Sequence, residues 1–119
     1  MTDEMRKMLT EFLGECWHEW GWVSGGGLVC KHCSIDLYGN NNLFHNKVMG
    51  KPDHRTFTTD ADMMAVFRKI RDAKRWGAFR EYAFLKWFDK PDSVFSVWLF
   101  LDNPERACCL AAMWLEEQR

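Results

Sequence analysis

Three thiols and an imidazole recur at short spacing in the first third of the chain, as Cys16-Trp17-His18 and then Cys30-Lys31-His32-Cys33. Sulfur with imidazole nitrogen suits zinc, a borderline-soft ion that takes tetrahedral coordination, and Cys16, His18, Cys30 and Cys33 can supply all four corners. A filled shell leaves no position for a substrate, so the pattern predicts one structural Zn2+ ion. His32 is the alternative nitrogen ligand. It lies between the two cysteines of the C-x-x-C knuckle, where its side chain should point away from the ion, and this favours His18. Buried free thiols are the plainer account of such residues. A C-x-H and a C-x-x-C separated by a glycine turn are hard to obtain as filler.

The site dictates its supports. Cys16 and His18 face one ion only from extended backbone, because residues two apart in a helix diverge by about 200°. A helix must therefore end before Cys16, and Gly14 can end it by taking a left-handed position. Thr2 caps that helix, Asp3 and Glu4 fill its first turn, and Met5, Met8, Leu9, Phe12 and Leu13 form its apolar stripe. Between the ligand pairs, Ser24-Gly25-Gly26-Gly27 predicts the turn of a short hairpin that folds Cys30 and Cys33 back onto Cys16 and His18. Ile35, Leu37 and Tyr38 can extend the knuckle into a further short strand.

Residues 37–58 read as an irregular connection, with a turn at Gly39-Asn40-Asn41-Asn42 and Leu43, Phe44, Val48, Met49 and Phe57 as apolar pins. His45 and His54 stand alone there, without the convergent partners a second metal would need. A helix then starts at Thr59, with Asp62 in a capping box, and buries Met63, Val66, Phe67, Ile70 and Ala73. Gly77 loosens or ends it. Phe79–Phe88 and Val94–Leu101, joined by Asp89-Lys90-Pro91-Asp92-Ser93, read as an antiparallel hairpin that is apolar on both faces. Asn103 caps the last helix, Pro104 takes its first position, and Cys108 and Cys109 pack on its wide apolar side. The expected fold class is α+β, a small alpha-beta-alpha sandwich with helices packed on an antiparallel hairpin and a zinc knuckle before it. Its parts are a helix and zinc-knuckle hairpin over 1–36, the connection over 37–58 and a helix-hairpin-helix body over 59–119, together one compact unit.

Composition narrows the function classes. No stretch approaches the roughly 20 apolar residues that span a bilayer. Five cysteines, most with a metal role available, fit a reducing cytoplasm better than a disulfide framework, and the first residues carry no secretory pattern. A formal net charge of −1 gives no global attraction to nucleic acid. Any such binding must be local, and Arg68, Lys69, Arg71, Lys74 and Arg75 form the one basic strip that could contact phosphate, aided by Lys47, Lys51 and Arg80. The plainer account of that strip is a solvated helix face. No phosphate-cradling loop accompanies the glycines, and no general base or Ser-His-Asp set can be assembled from spacing.

Thr58-Thr59-Asp60, the aromatic hairpin, and Asn103-Pro104-Glu105-Arg106-Ala107-Cys108-Cys109-Leu110-Ala111-Ala112 resemble the small phage and prophage proteins built on an alpha-beta-alpha sandwich domain. The Cys16-Trp17-His18 segment with its later C-x-x-C is similar to zinc knuckles at the start of other phage-encoded proteins. Arg106 and Cys109 depart from the sandwich pattern, and the resemblance, over about half the chain, carries no catalytic residues. It implies expression in a bacterial cytoplasm. The expected function is a non-catalytic, zinc-binding phage accessory or inhibitor protein that binds a host or phage protein. Trp17, Trp20 and Trp22 are the expected contacts, because binding energy concentrates in such residues. Their other role would be to cover the zinc hairpin. The alternative is a nucleic-acid-binding phage accessory protein using the basic strip.

Overall fold

Thr2 opens the first helix, its hydroxyl accepting a hydrogen bond from the Met5 N–H at 3.2 Å. The helix, α1, runs Asp3–Phe12 and ends as its glycine dictates. Gly14 has φ 79°, its N–H returns to the Glu11 carbonyl, and the Glu15 N–H returns to the Thr10 carbonyl. That pair of bonds is the Schellman closure, which releases the chain into extended backbone one residue before the first cysteine. The computed structural model describes residues 1–88 and 103–118.

After the ligand Cys16-Trp17-His18 come β1 (Trp20–Trp22) and β2 (Leu28–Cys30), paired antiparallel with Trp20 opposite Cys30, Gly21 opposite Val29 and Trp22 opposite Leu28. The glycine turn joins them, with Gly25 and Gly26 at φ 100° and 86°. Beyond the knuckle, Ser34 takes φ 62° and turns the chain back along β2. The Cys30 N–H donates to the Ile35 carbonyl, the Leu37 N–H donates to the Leu28 carbonyl, and Val29 bridges to Asp36. The extension expected at Ile35 and Leu37 thus lies along the open side of β2.

The stretch 37–58 is less irregular than its sequence suggests. Asn40 caps a helix, α2 (Asn41–Val48), by accepting from the Leu43 N–H at 3.0 Å. Its apolar side chains are not the pins expected: Phe44, Val48 and Met49 are 42%, 66% and 59% exposed, whereas Phe57 is fully buried. The third helix, α3 (Asp60–Asp72), starts at Thr59 as expected and buries Met63, Val66, Phe67 and Ile70. The capping box is displaced, because the Asp62 carboxylate accepts from the Phe57 N–H at 3.1 Å rather than from the N-cap's own. Ala73 is exposed at the C-cap, and Lys74, not a glycine, takes the left-handed position at φ 59°. Gly77 falls in the next helix.

That helix, α4 (Trp76–Phe88), corrects the expectation of a strand over Phe79–Phe88. Phe79, Ala83 and Phe84 are buried, while Arg80, Glu81, Leu85 and Lys86 are exposed. Ala83 and Phe84 follow Phe79 by four and five residues, a helical spacing and not an alternation, and the burial period overrides the strand propensity of the aromatic side chains. The turn Asp89–Ser93 and the partner strand Val94–Leu101 lie outside the described residues, where the remainder of that hairpin was expected.

The last helix, α5 (Pro104–Glu117), starts as expected, with Asn103 accepting from the Arg106 N–H. It packs against α1, α3 and α4, and α3 packs against α4. Ala107, Cys108, Ala111 and Ala112 are fully buried, and these small side chains let three helices close on one. Burial pushes the Cys108 thiol up to about 12, which leaves it a neutral packing group. Phe79 sits among Phe67, Trp76 and Trp114 at centroid distances of 5.5 to 5.7 Å. The fold is a small α+β domain, a Cys/His-bearing hairpin followed by a helical bundle, and no described helix is long and apolar enough to cross a membrane.

Candidate metal centre

The closure of α1, the hairpin register and the turn at Ser34 bring Cys16, His18, Cys30 and Cys33 together. One donor atom from each lies within 4.8 Å of the other three. The Cys16 and Cys30 sulfurs are 3.7 Å apart, and Cys33 Sγ is 3.5 Å from His18 Nδ1. Zinc bonds of about 2.3 Å to sulfur and about 2.05 Å to nitrogen give tetrahedral edges of about 3.8 Å and 3.6 Å. The donor set and both edges fit a single structural Zn2+, with Nδ1 as the imidazole ligand. Among the described residues no second group of three or more such side chains converges.

The four ligands come from three kinds of backbone. Cys16 and His18 project from the extended run after Gly14, Cys30 ends β2, and Cys33 closes the knuckle. Cys30 is buried, Cys16 and His18 are half-buried, and Cys33 is exposed. Burial raises the Cys30 thiol, but the backbone N–H groups of Cys33 and His32, the His18 side chain and the Glu19 backbone outweigh it and bring Cys30 down to about 5. Cys16 moves the other way, to about 12, through burial and then through its neighbours Cys33 and Cys30. Knuckle N–H groups that stabilise a thiolate are pre-arranged for a cation.

His32 is turned away from the cluster. Its Nε2 is 3.2 Å from a Glu19 oxygen that is also 3.5 Å from Lys7 Nζ. The Glu19 carboxyl is held below its ordinary range, first by His32 and also by Lys7. Two of the three tryptophans are engaged, one on a ligand and one on the segment at 53–57. Trp20 stacks on His18 at 5.1 Å and donates its indole N–H to Asp53 at 2.7 Å, and Trp17 stacks on His54 at 4.0 Å. Trp22 is 71% exposed.

A strap formed by Asp53, His54, Arg55 and Phe57 fastens this hairpin to the bundle. Arg55 Nε lies 2.8 Å from both Glu15 oxygens, and its Nη1 donates to Asp62 at 3.0 Å. Glu15, one residue before the first ligand, is thereby joined to the first turn of α3. These pairings raise the Arg55 guanidinium, Glu15 contributing most. Phe57, at φ 60°, then enters the core. The ligand pattern contains no sign of this strap, whose Arg55 pairs with a Glu15 that stands 40 positions away in the chain.

The basic strip is only partly open. Arg68, Lys69 and Lys74 are exposed, Arg71 is 3.1 Å from Asp72, and Arg75 lies over the Trp114 ring at 4.4 Å and donates to Gln118. No family model matches the chain, and no curated protein or solved structure matches it. The zinc assignment therefore stands on donor chemistry and distances.

Proposed function

We propose that this chain is a non-catalytic, zinc-binding phage accessory or inhibitor protein that acts by binding a host or phage protein. Four protein ligands complete a tetrahedron and keep no position for a substrate, which supports an architectural metal. The observation that carries the interaction is Trp22, 71% exposed at the end of β1 beside Val23, which is 47% exposed. With Trp17 stacked on His54 and Trp20 on His18, Trp22 is the one of the three with its ring in water. A metal-stiffened hairpin presents that ring with little further ordering entropy to lose on contact. The phage setting rests on the sequence resemblance at Thr58–Asp60 and Asn103–Ala112.

The test is capture from a bacterial host lysate on immobilised protein, wild type beside Trp22→Ala of equal zinc content. A specific partner retained by the wild type and reduced at least tenfold by the variant is the expected result. Equal retention by both removes Trp22 as the anchor, and no specific partner removes the function. A nucleic-acid role keeps one supporting observation, an apolar notch of about 160 Å3 lined by Met64, Phe67, Arg68, Arg71 and Trp76. DNA and RNA titrations at low and physiological salt separate the two roles, because phosphate contacts weaken steeply with salt.

A further inference from the structure

We propose that the cleft between α1 and α5 is a docking groove for a basic amphipathic helix of a partner protein. The proposal rests on the partner-binding function above and supplies the chemistry of the partner. The cleft holds about 670 Å3, is lined by residues of α1 and of the last turns of α5, and does not include Trp22 in its lining. Its floor carries Met5 and Met8 from α1 and Met113 from α5, the last 37% exposed. Unbranched thioethers adapt to whatever apolar side chains meet them, which suits a surface that receives another helix.

The rim selects the charge. Glu4 and Glu11 stand on the α1 side, and Glu116 and Glu117 on the α5 side. Among the described residues Lys7 is the one basic side chain in the lining, and its ammonium is drawn to Glu19 at 3.5 Å. The whole chain has a formal net charge of only −1, so this acidity is a local property of the groove. Carboxylates on both edges of an apolar floor complement a helix with one apolar stripe flanked by Lys or Arg. The lining runs along α1 up to Glu11 and along α5 over Ala112–Glu117, about 15 and 9 Å at 1.5 Å per residue, room to grip roughly two turns of a docked helix.

The probe is a synthetic peptide of leucine and lysine in helical period, about 18 residues or five turns long, titrated into the zinc-loaded protein. Saturable binding is expected, with shifts in the methyl resonances of Met5, Met8 and Met113. The double variant Glu11→Lys/Glu117→Lys, one change at the C-terminal turn of each wall, should weaken it at least tenfold. That variant keeps its fold, since cations suit a helix C-terminus, and circular dichroism verifies this. Trp22→Ala should leave peptide affinity unchanged. Undiminished binding by the double variant, shifts confined to other methionines, or equal binding of a leucine-glutamate peptide overturns the groove. Loss of the groove with Trp22-dependent capture intact leaves the proposed function standing, so the two failures are distinguishable.

Discussion

Stripping the metal with a high-affinity chelator should disorder the hairpin and spare the bundle. The core cluster takes no side chain from residues 14–56, and in that stretch only Cys30 and Leu37 are buried hydrophobics. Two strands of three residues are marginal without further support. Structural zinc contributes on the order of 10 kcal/mol of apparent folding free energy at neutral pH. At about 1.4 kcal/mol per factor of ten, that is ample for a protection of more than a thousandfold at the hairpin amides. Hydrogen exchange followed by mass spectrometry should therefore record a loss of about a thousandfold or more at residues 20–22, 28–30 and 35–37, the observable part of that term. Amides of Val66, Ile70 and Ala111 should change by less than about tenfold. Unchanged hairpin protection in protein verified as metal-free refutes a zinc-held hairpin. Equal acceleration throughout refutes the division into a metal-dependent and a metal-independent part.

Arg55→Met should lower stability by about 1–2 kcal/mol in denaturant titration while leaving zinc affinity within about twofold, because it cuts a charge-assisted link to the bundle and touches no ligand. Lys74→Gly should raise the melting temperature of the bundle, and Ser34→Gly should slow amide exchange in the knuckle alone. Each relieves a left-handed residue at a gain of about 0.5–1 kcal/mol after the entropy of glycine is counted. Tyr82→Phe should be neutral or stabilising by up to about 1 kcal/mol in thermal melts, since the Tyr82 hydroxyl is buried with no hydrogen-bond partner among the described residues. Zinc binding at pH 7 should release at least one proton per ion, read by calorimetry in buffers of differing ionisation heat. With the hairpin released, its ligand thiols are protonated at pH 7, as thiols in a disordered chain are, and each must lose a proton to bind the ion. Affinity should accordingly rise with pH, and zero proton release would contradict the coordination by Cys16.

The features legible in the sequence were those set by neighbours in the chain. Gly14, the Ser24–Gly27 turn, the Thr2, Thr59 and Asn103 caps and the outward His32 follow from local stereochemistry, and each is found where it was expected. Helix α2 was hidden because its eight residues bury none of their side chains, so no apolar periodicity announces it. The segment Trp76–Phe88 was misjudged because its aromatic residues favour strands by propensity, while the choice between helix and strand was made by what Phe79, Ala83 and Phe84 meet in the core. The strap was hidden for a third reason. Arg55 has no distinguishing context until folding places Glu15 and Asp62 on either side of it.

All four metal donors fall between positions 16 and 33, whereas α1 must wait for α5, some ninety positions later, to find its bundle partner. During synthesis the ion can thus be captured while most of the chain is still unmade, since closing so short a loop is fast and entropically mild. Helix α1, made before the ligands, would then be anchored at its C-terminal end by this metal clip, with its greasy stripe awaiting α5. A cell starved of zinc during translation should accumulate nascent chains whose first helix is untethered, and chaperone demand for this product should rise before any finished molecule is affected.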